Sequence, residues 1–380
     1  MSITISDGLY SVLRRAGHEA ARLKSPSIGS DDLLFGLLGR YPQLRPAIPL
    51  RSPPVTTVEP PHEVPADPEL SVGLTLELAR AMREAFWRSF GWPGPARDRF
   101  AGTPGWEPEA AMVLRVAALL AVRRRAPLVG SNHLLEALLE TPGNRAIQNI
   151  AEDRFLPGRL DDVAARIWPQ GDQEPPRLGL AGPLRQIGVL AVSSPAPAGM
   201  FKARLISSAS RLLSQTTPAL GWLELEAVAE TVRLGHDRTV PAHLIMAVLV
   251  LEEEMRAGKL HPRAPSGAAN EILLGHFGLA RQKAGLAVAA TGYGGEFTGP
   301  QRKRAWRTDR NNPPWTVAAA RIAERARELS TLGARVPAGS AHLIYALLTD
   351  SDEGGPQLLG ELGVDPSVIR DLAAHRLGLA

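Results

Sequence analysis

Three histidines and a recurring set of hydroxyl, amide and carboxylate side chains are the first candidates for chemistry in this chain. His133, His243 and His342 each stand directly before a Leu-rich run, and Ser30-Asp31-Asp32 leads into a fourth such run. An imidazole can ligate a metal or move a proton. A polar lead-in to a helix exposes N–H groups at the positive end of the helix dipole, so two such starts brought together would hold an anion. The spacing favours the second chemistry. The histidines come one per lead-in, with no second His and no Cys at ligand spacing, so they are expected to serve packing and turn bonding, with no metal. Ser30 and Ser131 stand at two of these starts. Signatures of turnover are missing from the sequence. Its one Gly-Lys pair, Gly258-Lys259, is followed by Leu260 and makes no phosphate-cradling loop. Neither a G-x-S-x-G elbow nor an H-E-x-x-H helix occurs. The expectation is a non-enzyme without a cofactor.

The elements that must position these residues form a fourfold internal repeat. Its lead-ins are Ile28-Gly29-Ser30-Asp31-Asp32, Val129-Gly130-Ser131-Asn132-His133, Val240-Pro241-Ala242-His243 and Gly339-Ser340-Ala341-His342. Each runs into a second apolar patch, at Leu37-Leu38, Leu138-Leu139, Val248-Leu249 and Leu347-Leu348. Ahead of each lies an amphipathic stretch, such as Leu9, Val12, Leu13, Ala16 and Ala20, or Ala319, Ile322, Ala323 and Ala326, with steps of three and four that fill one helical face. The unit is a long helix, a short turn and a second helix. Ser30 and Ser131 are expected to cap the second helix, and Pro241 suits its first turn. Gly29, Gly130 and Gly339 are expected to supply backbone freedom at the turn. The fourth repeat adds a short helix stopped by Gly363, then an Asp365-Pro366 start to another helix. The third repeat echoes that pattern in Ile272 to Leu279. A two-helix unit cannot bury its apolar face alone, so the repeats must pack together.

These residues resemble the Clp repeat, the paired module of the N-terminal domain of Clp/Hsp100 unfoldases. The first repeat matches through Glu19-Ala20-Ala21-Arg22-Leu23 and its lead-in, and the second through Trp106-Glu107-Pro108 and its lead-in. The third matches through Thr217-Pro218 and Arg233-Leu234-Gly235-His236, and the fourth through Trp315-Thr316, His342 and Leu362-Gly363-Val364-Asp365. The resemblance implies an all-α protein of two Clp N-type domains, each a pseudo-twofold pair of helical repeats. Repeats one and two would occupy 1–168, with a Pro-rich segment and an extra apolar helix, Leu70 to Phe90, inserted at 53–104. A linker with a short helix near Ala203 to Leu213 would span 169–215. Repeats three and four would occupy 216–380. In the family the lead-in region receives adaptors, substrate segments and, in some members, phosphorylated arginine. There a Glu before the His contacts the guanidinium and the preceding turn holds the phosphate. The matching positions here are Asp31, Asn132, Ala242 and Ala341, so the resemblance implies ligand-binding residues Asp31 and Asn132, with the Ser30 and Ser131 hydroxyls, and phosphoarginine as a candidate ligand only in the first domain. Trp106 and Trp315 stand where relatives carry a Phe beside a partner groove. An exposed Trp there would anchor an apolar ligand, although burial is the commoner fate of a Trp.

Composition bounds the rest. A chain of 380 residues suits two or three domains. With no Cys there is neither a disulfide framework nor thiolate chemistry. No basic leader opens the chain, and no run approaches the roughly 20 apolar residues of a membrane span. A cytoplasmic protein is expected. The net charge of +4 is slight, and its densest cluster is Gln301-Arg302-Lys303-Arg304-Ala305-Trp306-Arg307. The leading expectation is a non-catalytic protein that binds a protein segment or Clp-system component, an ATPase, peptidase or substrate, and modulates Clp-dependent proteolysis. Two alternatives are a decoy that sequesters an apolar cyclic peptide antibiotic at Trp106 or Trp315, and a regulator touching nucleic acid through Arg302 to Arg307.

Overall fold

The structure, a computed structural model, describes residues 4–51, 70–92, 105–151, 155, 157–169, 174–186, 189–192, 218–262, 284–285, 287–288, 312–332, 339–349 and 355–379. It is all-α: the strands among the described residues have only two or three residues each. The described residues up to Arg177 form one compact unit and those from Leu178 a second.

The first unit begins with β1 (Thr4–Ile5), α1 (Asp7–Arg22) and α2 (Ser30–Arg40). The hydroxyl of Ser6 starts α1 by accepting from Leu9 N at 3.0 Å. Leu9, Val12, Leu13 and Ala16 of α1 are fully buried, as are Leu33 and Leu37 of α2, so the sequence periodicity is the packed face. The inserted helix α3 (Val72–Phe90) follows, capped by Ser71 and stopped at Gly91 with φ +84°. It packs on α1. The second repeat supplies α4 (Pro108–Arg123), β2 (Leu128–Val129), α5 (Ser131–Glu140), the one-turn α6 (Arg145–Gln148) and α7 (Pro157–Ile167).

Backbone pairing ties the two repeats together reciprocally. β1 runs parallel to β2, with Ile5 opposite Val129, and Ile28 bridges Trp106 in the same sense. The stretch before the long helix of each repeat thus pairs with the stretch before the second helix of the other. Ser6 N donates to Val129 O and Glu107 N to Ile28 O, each at 3.0 Å. These exchanged bonds satisfy N–H groups that a helix start leaves open, and they bring the starts of all four helices to one end of the unit.

The second unit contains α8 (Ala181–Gln186), β3 (Leu190–Val192), α9 (Pro218–Leu234), α10 (Pro241–Ala257), β4 (Leu260–Pro262), α11 (Val317–Leu332), α12 (Ser340–Thr349), α13 (Gly355–Glu361) and α14 (Pro366–Leu377). Thr239 bridges Trp315 in parallel, and Thr316 N donates to Thr239 O at 3.0 Å, the counterpart of the Ile28–Trp106 pairing. Apart from His243, α10 is apolar on every side through its first three turns, and it is buried from Pro241 to Glu252, the central helix of this unit. Gly363 takes φ +77° after α13, and Asp365 accepts from Ser367 N at 2.8 Å to open α14.

Two expectations change. The stretch 169–215 is not simply a connection: α8 and β3 lie in it, and β3 pairs antiparallel with β4, Ala191 opposite His261. Three residues of β3 are too few to stand out from a Pro-rich background. The lead-in glycines also have another reason. Gly29 (φ −98°) and Gly130 (φ −105°) are extended, and Val240 adopts the same conformation at its own turn (φ −111°). At Gly29 close approach is the better reason, since a Cβ there would collide with the Arg145 guanidinium. The Pro-rich segment at 53–68, the short helix expected at 203–213, the echo at 272–279 and the basic cluster at 301–307 lie outside the described residues.

Candidate functional site

The recurring histidines close their own helix starts. Nδ1 of His133 accepts from Gly130 N at 3.0 Å, that of His243 from Val240 N at 2.9 Å, and that of His342 from Gly339 N at 3.3 Å. In the first repeat Asp32 does the same work, accepting from Gly29 N at 2.9 Å. Each side chain reaches back from the third helical residue to the N-cap N–H, half of a capping box. The serines expected as caps do not cap. Ser30 and Ser131 are the first helical residues, and their hydroxyls point elsewhere. An imidazole whose Nδ1 accepts must be neutral with its proton on Nε2. Burial accordingly pulls His243 well below the ordinary histidine range, with His236 beside it adding to the fall, and burial lowers His342 as well. His243 Nε2 lies 2.9 Å from His236 Nδ1. Asp32 moves the other way: burial pushes it up to about 7 and Asp31 adds to the rise, against the Gly29 N–H bond.

At the expected anion site the first unit already holds two anions, both its own. The start of α2 carries Glu109, which accepts from Ser30 N and Ser30 Oγ, each at 3.1 Å. Glu109 also accepts from Arg145 Nε at 2.8 Å and Arg145 N at 2.9 Å. The start of α5 carries Glu174, which accepts from Ser131 N at 3.1 Å and lies 3.4 Å from Ser131 Oγ. Three further donors converge on Glu174: Trp168 Nε1 at 2.8 Å, the Tyr41 hydroxyl at 3.1 Å, and the Ser6 hydroxyl. A carboxylate at a helix start meets both free N–H groups and the positive dipole end. The expectation of open anion-binding starts is corrected: they are filled from within the chain.

Around these plugs stand the other candidates. Asp31 Oδ1 lies 3.5 Å from Arg145 Nε. Burial raises the Asp31 carboxyl, and Arg145 partly offsets that. Burial acts to lower Arg145, but the carboxylates of Asp31 and Glu109 outweigh it and leave it raised. Asn132 is half-buried at the matching place on α5. The structure therefore brings Ser30 and Asp31 into one cluster with Glu109 and Arg145, and Ser131 into another with Glu174. Trp106 and Trp315 join neither. Both are buried, and Trp106 Nε1 donates to Met82 O at 3.0 Å, so neither offers the open indole face an apolar-ligand anchor requires.

Sequence reasoning missed Glu109, Arg145 and Glu174. Glu109 left a signal, because at constant register its counterpart in the first repeat is Gly8, a loss that asks for another carboxylate. A Cβ on Gly8 would sit 2.6 Å from the Tyr41 hydroxyl and collide with the Glu174 carboxylate. Glu174 lies outside every repeat and had no periodic signal. Among the described residues no cluster of His, Asp and Glu is arranged to hold a metal, and no helix is long and apolar enough to cross a membrane.

No family model matches the chain, and neither does any curated protein. Among solved structures it is similar to the N-terminal domain of the caseinolytic protease associated chaperone ClpD from Arabidopsis thaliana. That match has 20% identity, a TM-score of 0.31, and coverage of 43% of this chain and 97% of that chain.

Proposed function

We propose that this protein is a polypeptide-binding module of the Clp N-domain type. In this reading it holds a segment of a Clp ATPase, a Clp peptidase or one of their substrates, and modulates Clp-dependent proteolysis by binding alone. One observation carries it: the first unit presents two helix starts that each hold an acidic side chain, one of them beside a guanidinium on Asp31. Groups that recognise such side chains within the chain are chemically equipped to recognise them in another chain. Asp31 and Asn132, each half-buried and directly after Ser30 and Ser131, are the residues we assign to partner contact. The resemblance of all four lead-ins to the Clp repeat supports the same reading, and the sequence lacks the phosphate loop that would let it drive unfolding with ATP. Phosphoarginine recognition would require Glu109 or Glu174 to leave its helix start. The decoy reading loses its support with the burial of both Trp side chains.

The test is a binding and degradation assay. The immobilised full chain should retain a purified Clp ATPase or peptidase, and adding the chain should change the rate at which that machine degrades a model substrate. Failure to retain either component, together with an unchanged rate, would sink the proposal. Substituting Asp31→Ala and Asn132→Ala together should weaken retention at least tenfold.

A further inference from the structure

The tetrapeptide Glu174-Pro175-Pro176-Arg177 is gripped by the first unit at every position. Five donors converge on the Glu174 carboxylate: Ser6 Oγ, Tyr41 Oη, Trp168 Nε1, and N and Oγ of Ser131. Pro175 O accepts from Asp7 N at 3.1 Å, and Pro176 bridges Ser6 in antiparallel sense. The Arg177 guanidinium lies 3.4 Å from the Tyr10 ring centroid and donates to Glu84 at 2.8 and 2.9 Å. Main-chain pairing between two anchored side chains is how a groove holds an extended peptide. The two prolines between the anchors are exposed and suited to an extended backbone. The groove is built from α1, α3, α5 and the residues after α2 and α7, distant in sequence from most of what it holds. Gly8 supplies the room, where the second repeat has Glu109.

We infer that residues 174–177 form an intramolecular ligand, a strap over a groove for extended segments of another protein that carry an acidic residue three places before an arginine. The strap competes in cis, so a partner segment must displace it, and the site is held closed against weak ligands. This inference rests on the polypeptide-binding reading above. A partner repeats the same bonds that the strap gives up, so its apparent affinity is reduced by the fraction of time the strap is seated. A short tether gives the strap an effective concentration on the order of millimolar.

The probe is a fluorescein-labelled peptide of residues 172–179, Asp-Gln-Glu-Pro-Pro-Arg-Leu-Gly, followed by anisotropy with the full chain. The Glu174→Ala/Arg177→Ala variant should bind it at least tenfold more tightly than wild type, and replacing Glu by Gln in the peptide should cost at least tenfold. Equal binding to both proteins, or no binding to a variant that still melts cooperatively, overturns the inference. If the variant does not fold, hydrogen exchange on wild type decides. The Asp7 and Ser131 amides, which donate to the strap, should exchange by local opening at least tenfold faster than the Leu134 amide inside α5. Exchange of all three only through global unfolding overturns the strap. Peptide binding without any retention of Clp components would leave the strap standing and remove the Clp assignment, whereas Clp retention with no strap effect would do the reverse.

Discussion

The first and second units build the same helix starts from different chemistry. In the first unit the opening residues of the second helices are Ser30 and Ser131, and each N–H and hydroxyl meets a carboxylate, Glu109 or Glu174. In the second unit the matching residues are Pro241, which has no N–H to offer, and Ser340. At the register of Glu109 the second unit has Ala219 and Ala318. Asp31 and Asn132 likewise give way to Ala242 and Ala341. At the positions of Glu109, Asp31 and Asn132 the first unit thus carries polar side chains where the second has alanines. Hydrogen-bonded helix starts need satisfaction, not charge, so the carboxylates of the first unit go beyond what the fold requires. That excess is the reason for placing recognition there.

The largest expected contrast is with pH. Asp32 is raised to about 7 in the folded chain, so the stability it contributes is full below the ordinary carboxyl value near 3.9 and is lost as pH rises through about 7. At 1.36 kcal/mol per unit this is about 4 kcal/mol for the first unit. His243 and His342 are lowered, so their contribution is full above about 6.5 and is lost as pH falls from there toward their depressed folded values. Hydrogen exchange read separately on α2 and α10 should show protection falling on the alkaline side for one and on the acid side for the other. Asp32→Asn should flatten the α2 profile, and parallel profiles would break the comparison.

Next in size is Glu109→Ala, which strips Arg145 and the α2 start of their shared partner. Removing one member of a largely buried ion pair costs about 3 kcal/mol, read as a lower urea midpoint for the first unit. Ala318→Ser, at the matching place in the second unit, should change stability by less than about 0.5 kcal/mol. A sharper version moves the plug. Gly8→Glu restores a carboxylate at the register of Glu109, so Glu174→Ala should cost about 2 kcal/mol in the native background and much less after Gly8→Glu. Additive losses would show that the two carboxylates do not share one place.

The smallest effect concerns how the long helices end. Lys24 and Arg125 adopt φ +56° where the third repeat has Gly235 at φ +71°. Lys24→Gly and Arg125→Gly should each raise the first unit's stability by about 1 kcal/mol in thermal or urea melts, since a side chain in the left-handed region costs about that much. A loss in either variant would mean that the side chain's own contacts outweigh the backbone strain.

Much of the fold was written in the apolar spacing. The fully buried faces of α1, α2 and α5 are the residues that recur at three and four, and the inserted α3 was legible from its run of apolar residues. The Gly363 stop and Asp365 start were legible because each acts on its immediate neighbours. The histidines were legible as punctuation for the same reason, reaching only three residues back. The site was not legible in this way. Glu109 meets Ser30, and Glu174 meets Ser6 and Ser131, through contacts that no period in the chain announces. The burial of Trp106 and Trp315 also waited on the structure, because an aromatic at a helix start suits core and groove alike.

What the sequence by itself determined is the helical repeat, its caps and its punctuation, since those arise from bonds and packing within a few turns of one helix. What only the tertiary structure decided is that the inviting helix starts are already occupied. A carboxylate finds a helix N-terminus through space, by charge and hydrogen bonding, from wherever the folded chain brings it. Here one comes from the facing repeat and the other from residues beyond both.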